Sequence, residues 1–296
     1  MSVNLSQLRA FVAVLDHGGF GAAAAELGVS QSAVSHSVAA LERTLGGAVL
    51  ARHGHPRPTA FGDLVLGHAR AALAAAAAIA DLAAQRDGLP AGTVRLAAPT
   101  TVCQGLLPRL IPQWKDRLPR VDVALFEGED DEVADWLARS TVDLAVLVDP
   151  PPGPGVLLAE DAFHALLRDD HPLAGEPDVG PADLEDDDFL LSCGGCERHI
   201  RELYRRAGTT LSPTHRIRDM GTLLAMVRAG IGVTIVPALT AAMLAPGLVL
   251  VPVRPAIGRR LVLTGPADRP WHPAAIALID TTATTPTTRA LIEHMF

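Results

Sequence analysis

Apolar residues near the N-terminus recur with a helical period. Leu8, Phe11, Val12 and Leu15 stand at i, i+3, i+4 and i+7, which places one face of a helix against a core. His17-Gly18-Gly19 closes that run, and a second short helix is predicted from about Phe20 to Leu27, where Ala22 to Ala25 permit close helix approach. Gly28-Val29-Ser30 reads as a tight turn, with Ser30 as the N-cap of a third helix. That helix would bury Val34, Val38, Leu41 and Leu45 and turn Gln31, Ser32, Ser35 and His36 outward. Two helices joined by a three-residue turn, the second opening with short polar side chains, make a helix-turn-helix. The same spacing also suits three helices of an ordinary bundle with a solvated face.

From Thr59 to about Arg86 the chain is alanine-rich, and Leu66, Leu73 and Ala80 repeat at seven. Alanine is the strongest helix former, so a long helix is predicted, suited to pairing with its copy in a second chain. The alternative is a single helix covering its own domain. Gly88 to Gly92 reads as a hinge. Beyond it, strand-like runs alternate with helical ones: Thr93 to Ala98, Val121 to Phe126, Asp143 to Val148, Phe163 to Arg168, Phe189 to Leu191, Gly232 to Val236 and Leu248 to Val253. This alternation predicts α/β layers with largely parallel pairing. The proline-rich 149-DPPPGPG-155 leads to a crossover, and 259-RRLVLTG-265 reads as the return. Two crossings divide the region into two lobes with a ligand cleft between them.

Composition narrows the class. A chain of 296 residues, 49% hydrophobic, can hold two or three domains with their own cores. Three cysteines are too few for a disulfide-stapled secreted scaffold and favour a reducing compartment. The opening residues lack a signal-peptide profile, and the apolar run 71-AALAAAAAIA-80 is too short to span a bilayer. A cytoplasmic protein without membrane attachment is expected. The segment Met1 to Gly88 holds six Arg against six Asp plus Glu, net zero, so the formal charge of −8 resides in the remainder. DNA contact would therefore depend on local geometry in the neutral segment, through arginine, histidine and backbone amides.

The stretch from Leu8 to Gly62 resembles the winged helix-turn-helix of LysR-type transcriptional regulators. The matching elements are Leu8-Arg9-x-Phe11, Phe20 with Ala23-Ala24, Leu27, Ser30-Gln31-x-x-Val34-Ser35, Leu41-Glu42, Leu45-Gly46, Arg52 and Thr59-x-x-Gly62. Gly19, Gly21-Ala22, His36 and Val49-Leu50-Ala51 depart from the family pattern and leave fewer cations for phosphate anchoring. The resemblance continues through Gly92-x-Val94-Arg95-Leu96, Leu107-Pro108, Leu118-Pro119-x-Val121, Val142-Asp143-Leu144-Ala145, His171-Pro172-Leu173, Asp183-Leu184 and Gly230-Ile231-Gly232 with Pro237, in family order. It implies an all-α winged helix-turn-helix over 1–58, a dimerising linker helix over 59–88, and a C-terminal α/β effector-binding domain over 89–296. That domain would be two-lobed and periplasmic-binding-protein-like, with lobe I at 89–160 and 268–296 and lobe II at 161–267.

The resemblance also implies site residues and partners. Gln31 would present a bidentate amide to adenine, with Ser32, Ser35 and His36 beside it, while Arg52 and the wing Arg57 hold the backbone. The DNA would be double-stranded promoter DNA with an inverted repeat, read by a homodimer or homotetramer. The effector would be a small molecule at Thr100, Thr101, Cys103, the Ser192–Cys196 turn, Gly221 and Thr222, where helix-start amides favour an anion. No cofactor is expected, and the threonines equally suit plain helix caps.

The motif 192-SCGGCERHI-200 raises a further possibility. Cys-x-x-Cys between a strand and a helix is how thiol oxidoreductases present a redox pair, and 196-CER-198 lies where peroxide-sensing LysR regulators carry a reactive cysteine. A cysteine at a helix start beside Arg198 is expected to be biased towards thiolate. Cys196 would then attack the oxidant and Cys193 resolve it. With Cys103 and His199 or His164 the thiols would alternatively hold a soft metal, or all three cysteines would only line the cleft without chemistry; His53 with His55 form a weaker metal pair. The rival functions are a thiol-disulfide oxidoreductase, which leaves the N-terminal match unexplained, and a plain solute-binding protein.

Overall fold

The computed structural model describes residues 2–51, 54–84 and 89–284. The N-terminal domain packs α1 (Leu5–Asp16), α2 (Phe20–Leu27) and α3 (Gln31–Leu45) around Phe11, Val14, Val34, Val38 and Leu41. Gly28 ends α2 at φ +63°, a left-handed conformation that glycine adopts without a Cβ clash. Ser30 Oγ accepts the Ala33 amide at 3.2 Å, so the predicted turn and N-cap are both in place. Glu42 Oε1 receives the amides of Val49 and Leu50 at 2.9 and 3.3 Å, fixing where the wing leaves α3. The wing closes where Leu50 bridges Pro58 and the Ala51 amide donates to the Arg57 carbonyl. Thr59 Oγ1 donates to Ala48 O at 2.6 Å and accepts the Gly62 amide at 2.9 Å. A Cβ on Gly62 would lie 1.9 Å from Val49 O, so this approach of helix to backbone requires glycine. These contacts explain the spacing of Leu41-Glu42 and Thr59-x-x-Gly62.

Helix α4 (Ala60–Ala84) carries the chain onward. Leu66 and Leu73, expected on a pairing seam, instead pack into the N-terminal core; the helix turns Phe61, Leu64, Ile79 and Leu82 outward. By length and hydropathy α4 could cross a membrane, because the helix extends well past the run 71–80. Its charged residues, however, tie it to the domains at both ends. Arg70 pairs with Asp16 of α1 and donates to Thr141 Oγ1 at 2.7 Å, Asp63 meets Arg139 at 2.7 Å, and Asp81 meets His272 at 3.0 Å.

The C-terminal domain contains β1 (Gly92–Pro99), α5 (Thr100–Gly105), α6 (Leu107–Arg117), β2 (Val121–Gly128), α7 (Asp130–Ala138), β3 (Leu144–Val148) and β4 (Val156–Arg168). Then follow β5 (Leu190–Ser192), α8 (Glu197–Ala207), β6 (His215–Ile217), α9 (Met220–Arg228), β7 (Thr234–Pro237), β8 (Leu248–Pro252), β9 (Gly258–Thr264) and α10 (Pro273–Ala283). The main sheet runs β2-β1-β3-β9-β4-β7, with β8 also on β4. It is mixed, not largely parallel as expected: β1 pairs β2 and β3 in parallel, whereas β9 pairs β3 and β4 antiparallel, as do β7 and β8 with β4. The antiparallel members arise because the chain crosses twice between lobes, on β4 and back on β9.

On those two strands Leu158, Leu261 and Leu263 are buried with Leu96, Val146 and Leu278 in the first lobe's core. The second core gathers Phe163, Leu191, Ile200, Val233 and Val251. In the first lobe Arg95 grips Asp143 through two bonds, Nε to Oδ2 at 3.0 Å and Nη2 to Oδ1 at 2.7 Å, which joins β1 to the start of β3. Strand β6 and the first half of β4 were not anticipated from the sequence.

Candidate functional site

The structure gathers the N-terminal candidates on one face. Gln31, Ser32, Ser35 and His36 are exposed along the first turns of α3, and Arg57 is exposed on the wing. Gln31 and Ser35 line a groove with Gly19, Phe20, Gly54 and Pro56. Ser32 Oγ lies 2.9 Å from the N-cap hydroxyl of Ser30, so it shares its hydrogen bonding with the cap. Arg52 and His53 lie outside the described residues.

Between the lobes lies a cleft of about 780 Å³. Its first-lobe wall carries Glu129, Asp130 and Asp131 at the start of α7 and Asp149 after β3; its second-lobe wall carries the Cys193-Gly194-Gly195 turn, Glu197, Arg198 and Arg201 of α8, and Arg218. Leu147, Val148, Pro150 and Pro151 supply apolar surface. Of the effector candidates, the cleft receives Cys193. Ser192 and Cys196 are buried behind it. The others have partners outside this cleft. Thr100 Oγ1 donates to Glu127 at 2.7 Å, and the buried Thr101 hydroxyl accepts from Arg259 at 2.7 Å. Cys103 packs in the first-lobe core with its thiol donating to Ala98 O at 3.4 Å. Gly221 and Thr222 are exposed, and Thr222 closes the α9 cap with Asp219.

Charge across the cleft is interlocked. Arg218 pairs with Glu132 at 2.7 Å, Arg198 donates to Val148 O at 2.9 Å, and His199 meets Asp149 at 2.7 Å. Burial pushes the Glu129 and Asp130 carboxyls up, and Arg259, Arg198 and His199 only partly offset this at Asp130. Burial also lowers His199, which stacks on Phe163 with ring centroids 4.8 Å apart, against the pull of Asp149. Asp149 behaves oppositely. Although burial would raise it, the Arg260 amide, His199 and Arg198 hold it below the usual carboxylate range.

Cys196 and Cys103 lie in surroundings that disfavour the thiolate. Burial pushes Cys196 up to about 11, with Asp130, Glu129 and Asp161 adding to the rise and Arg259 opposing it. Burial pushes Cys103 up to about 12. The helix start and Arg198, which favoured a thiolate in the sequence, are outweighed by desolvation and by carboxylates from the opposite lobe. Among the described residues no group of three or more His, Cys, Asp and Glu is placed to hold a metal ion, so the thiols with His199 or His164 form no such cluster.

Sequence reasoning missed the first-lobe acids. They form the run 127-EGEDDE-132, which alone reads as a solvated helix start. Arg198 and Arg201 stand at i and i+3 on α8, a spacing that puts both on one face.

Residues 5–63 match the model of the bacterial regulatory helix-turn-helix proteins of the lysR family, and residues 87–286 match that of the LysR substrate binding domain. The uncharacterized HTH-type transcriptional regulator YvbU of Bacillus subtilis (strain 168) is 30% identical over 79% of this chain and 81% of its own length. A probable hydrogen peroxide-inducible genes activator of Streptomyces viridosporus is 32% identical over 79% and 77%. A full-length cysteine-to-aspartate variant of OxyR from Pseudomonas aeruginosa superposes with a TM-score of 0.75 at 26% identity, covering 97% of this chain and 100% of that one. The helix-turn-helix, the long α4 and the two-lobed α/β domain thus occur together in known relatives. The chain belongs to the LysR family of DNA-binding transcriptional regulators, and it is not an enzyme.

Proposed function

We propose that the chain reads an inverted repeat in promoter DNA as a homodimer or homotetramer in the cytoplasm, switched by a small, anionic molecule entering the inter-lobe cleft. The observation that carries this reading is the pairing of an exposed polar α3 face with a charged cleft of about 780 Å³, joined by α4. The working units are 1–58 for DNA, 59–88 for the linker and 89–296 for the effector, with the lobes exchanging through β4 and β9. Arg198, Arg201 and Arg218, with the Cys193–Gly195 turn, are the groups for an anion. The peroxide-responsive name of one relative suggests thiol switching, but the buried Cys196 supports the small-molecule reading instead.

The DNA half is tested by titrating variants against specific and scrambled duplexes. Gln31→Ala is expected to lose about 1–3 kcal/mol of discrimination, the worth of a bidentate base contact. Arg57→Ala should weaken both duplexes alike and flatten the salt dependence. Equal losses on both duplexes for Gln31→Ala would remove it from base readout.

Leu64, Ile79 and Leu82 leave α4 at 73%, 68% and 56% exposure, an apolar stripe suited to a second copy of the helix. Leu64→Glu with Ile79→Glu is expected to convert the assembly to monomers in sedimentation velocity and to cost at least tenfold in DNA affinity, since two half-sites no longer act together. Wild-type sedimentation of the double variant would place the seam elsewhere.

A further inference from the structure

Two carboxylates of the first lobe occupy a place on the second that suits an anionic ligand. Glu129 Oε2 accepts the Gly195 amide at 3.2 Å across the cleft. The two glycines make this approach possible. A Cβ on Gly194 would lie 2.1 Å from Glu129 Oε2, and one on Gly195 would lie 2.2 Å from the Asp130 carboxyl carbon. The turn runs directly into α8, whose leading amides favour negative charge. The Cys-Gly-Gly-Cys motif therefore packs around side chains from the opposite lobe.

The contact is held at a cost. Asp130 Oδ2 is buried without a hydrogen-bond partner, and its nearest cation, Arg198 Nη2, stands 3.6 Å away. Burial raises both carboxyls, which marks each as short of compensating charge. An unsatisfied buried acceptor destabilises the state that holds it. An occupant held this way yields readily to one that brings a better fit.

Building on the proposed reading of the cleft as the effector site, we propose that Glu129 and Asp130 form a built-in carboxylate latch. They fill the Gly194-Gly195 turn and hold the lobes together without effector, and a carboxylate-bearing effector switches the protein by taking their place. The inference assigns the turn a ligand chemistry and assigns the chain its own competitor for it. If the latch fills the turn nine-tenths of the time, it lowers the apparent affinity for a free carboxylate about tenfold.

The test uses the full chain, with hydrogen exchange across 193–201 measured without ligand and succinate titrated at constant ionic strength. In Glu129→Ala, exchange in that segment should rise about tenfold and succinate should bind about tenfold more tightly. Gly195→Ala, which wedges a methyl group against Asp130, should raise the same exchange without the gain in succinate binding. Exchange unchanged in both variants overturns the latch, whatever succinate does. Raised exchange in Glu129→Ala without tighter succinate binding also overturns it, because displacement requires a turn that accepts a free carboxylate. Ligand-free exchange reports on the latch alone. The effector reading fails separately, if succinate at saturation leaves the DNA complex of both wild type and Glu129→Ala unchanged.

Discussion

Iodoacetamide at pH 7 is expected to modify Cys193 in the folded chain while leaving Cys196 and Cys103 almost untouched. The thiolate is the reacting form, and an ordinary thiol ionises near 8.5. Cys196, pushed up to about 11, and Cys103, pushed up to about 12, hold far less thiolate at pH 7 than an ordinary thiol. Burial adds a second barrier, since both thiols are covered whereas Cys193 lines the open cleft. In urea all three should react at one rate, which separates environment from chemistry. The same logic bears on oxidants. A Cys196 thiol this protonated attacks peroxide slowly, so oxidation of the folded protein should begin at Cys193. Mass spectrometry of tryptic peptides after timed alkylation checks the order. Alkylation of Cys196 at the rate of Cys193 would show that the acidic first-lobe wall does not govern the turn, and would restore the motif as a redox pair.

The burial of Cys196 depends on contacts that one sequence does not display. The helix-turn-helix was legible because its determinants are local: apolar residues at helical spacing, a left-handed glycine at 28 and a serine cap at 30. The sheet strands were legible as apolar runs, but their directions were not, since pairing depends on which lobe each crossing enters. The first half of β4 escaped notice because Glu160 and Asp161 break its apolar run, and Asp161 is buried only through a partner nearly a hundred residues away. Thr100 and Thr222 had the right chemistry for a ligand, yet Glu127 and Asp219 claim their hydroxyls. The acids that wall the cleft were invisible for a related reason. A run of carboxylates looks solvated until the fold sets a glycine turn from the other lobe against it.

Asp161→Ala is expected to produce the largest loss of stability of any substitution at the lobe junction. Asp161 and Arg259 sit side by side on the two crossing strands, with side chains 0% and 2% exposed. Arg259 donates to Asp161 Oδ2 through Nε at 3.0 Å and Nη2 at 2.8 Å, and its Nη2 also reaches Thr101 of α5. The Leu239 amide donates to Asp161 Oδ1 at 3.1 Å, so one carboxylate serves both lobes. Removing it leaves a guanidinium buried without its counter-charge, which typically costs about 3–5 kcal/mol. Replacing both partners by apolar residues of similar volume removes that penalty, since a buried ion pair contributes little beyond its own desolvation. Asp161→Val with Arg259→Met should therefore recover most of the loss. The remaining deficit should be about 1–3 kcal/mol, from the orphaned Leu239 amide. Urea unfolding of the C-terminal domain, followed for the two single variants and the double, measures the coupling directly. A loss below about 1 kcal/mol for Asp161→Ala, or a double variant as unstable as the sum of the singles, would mean that the buried pair does not hold the junction of the two lobes.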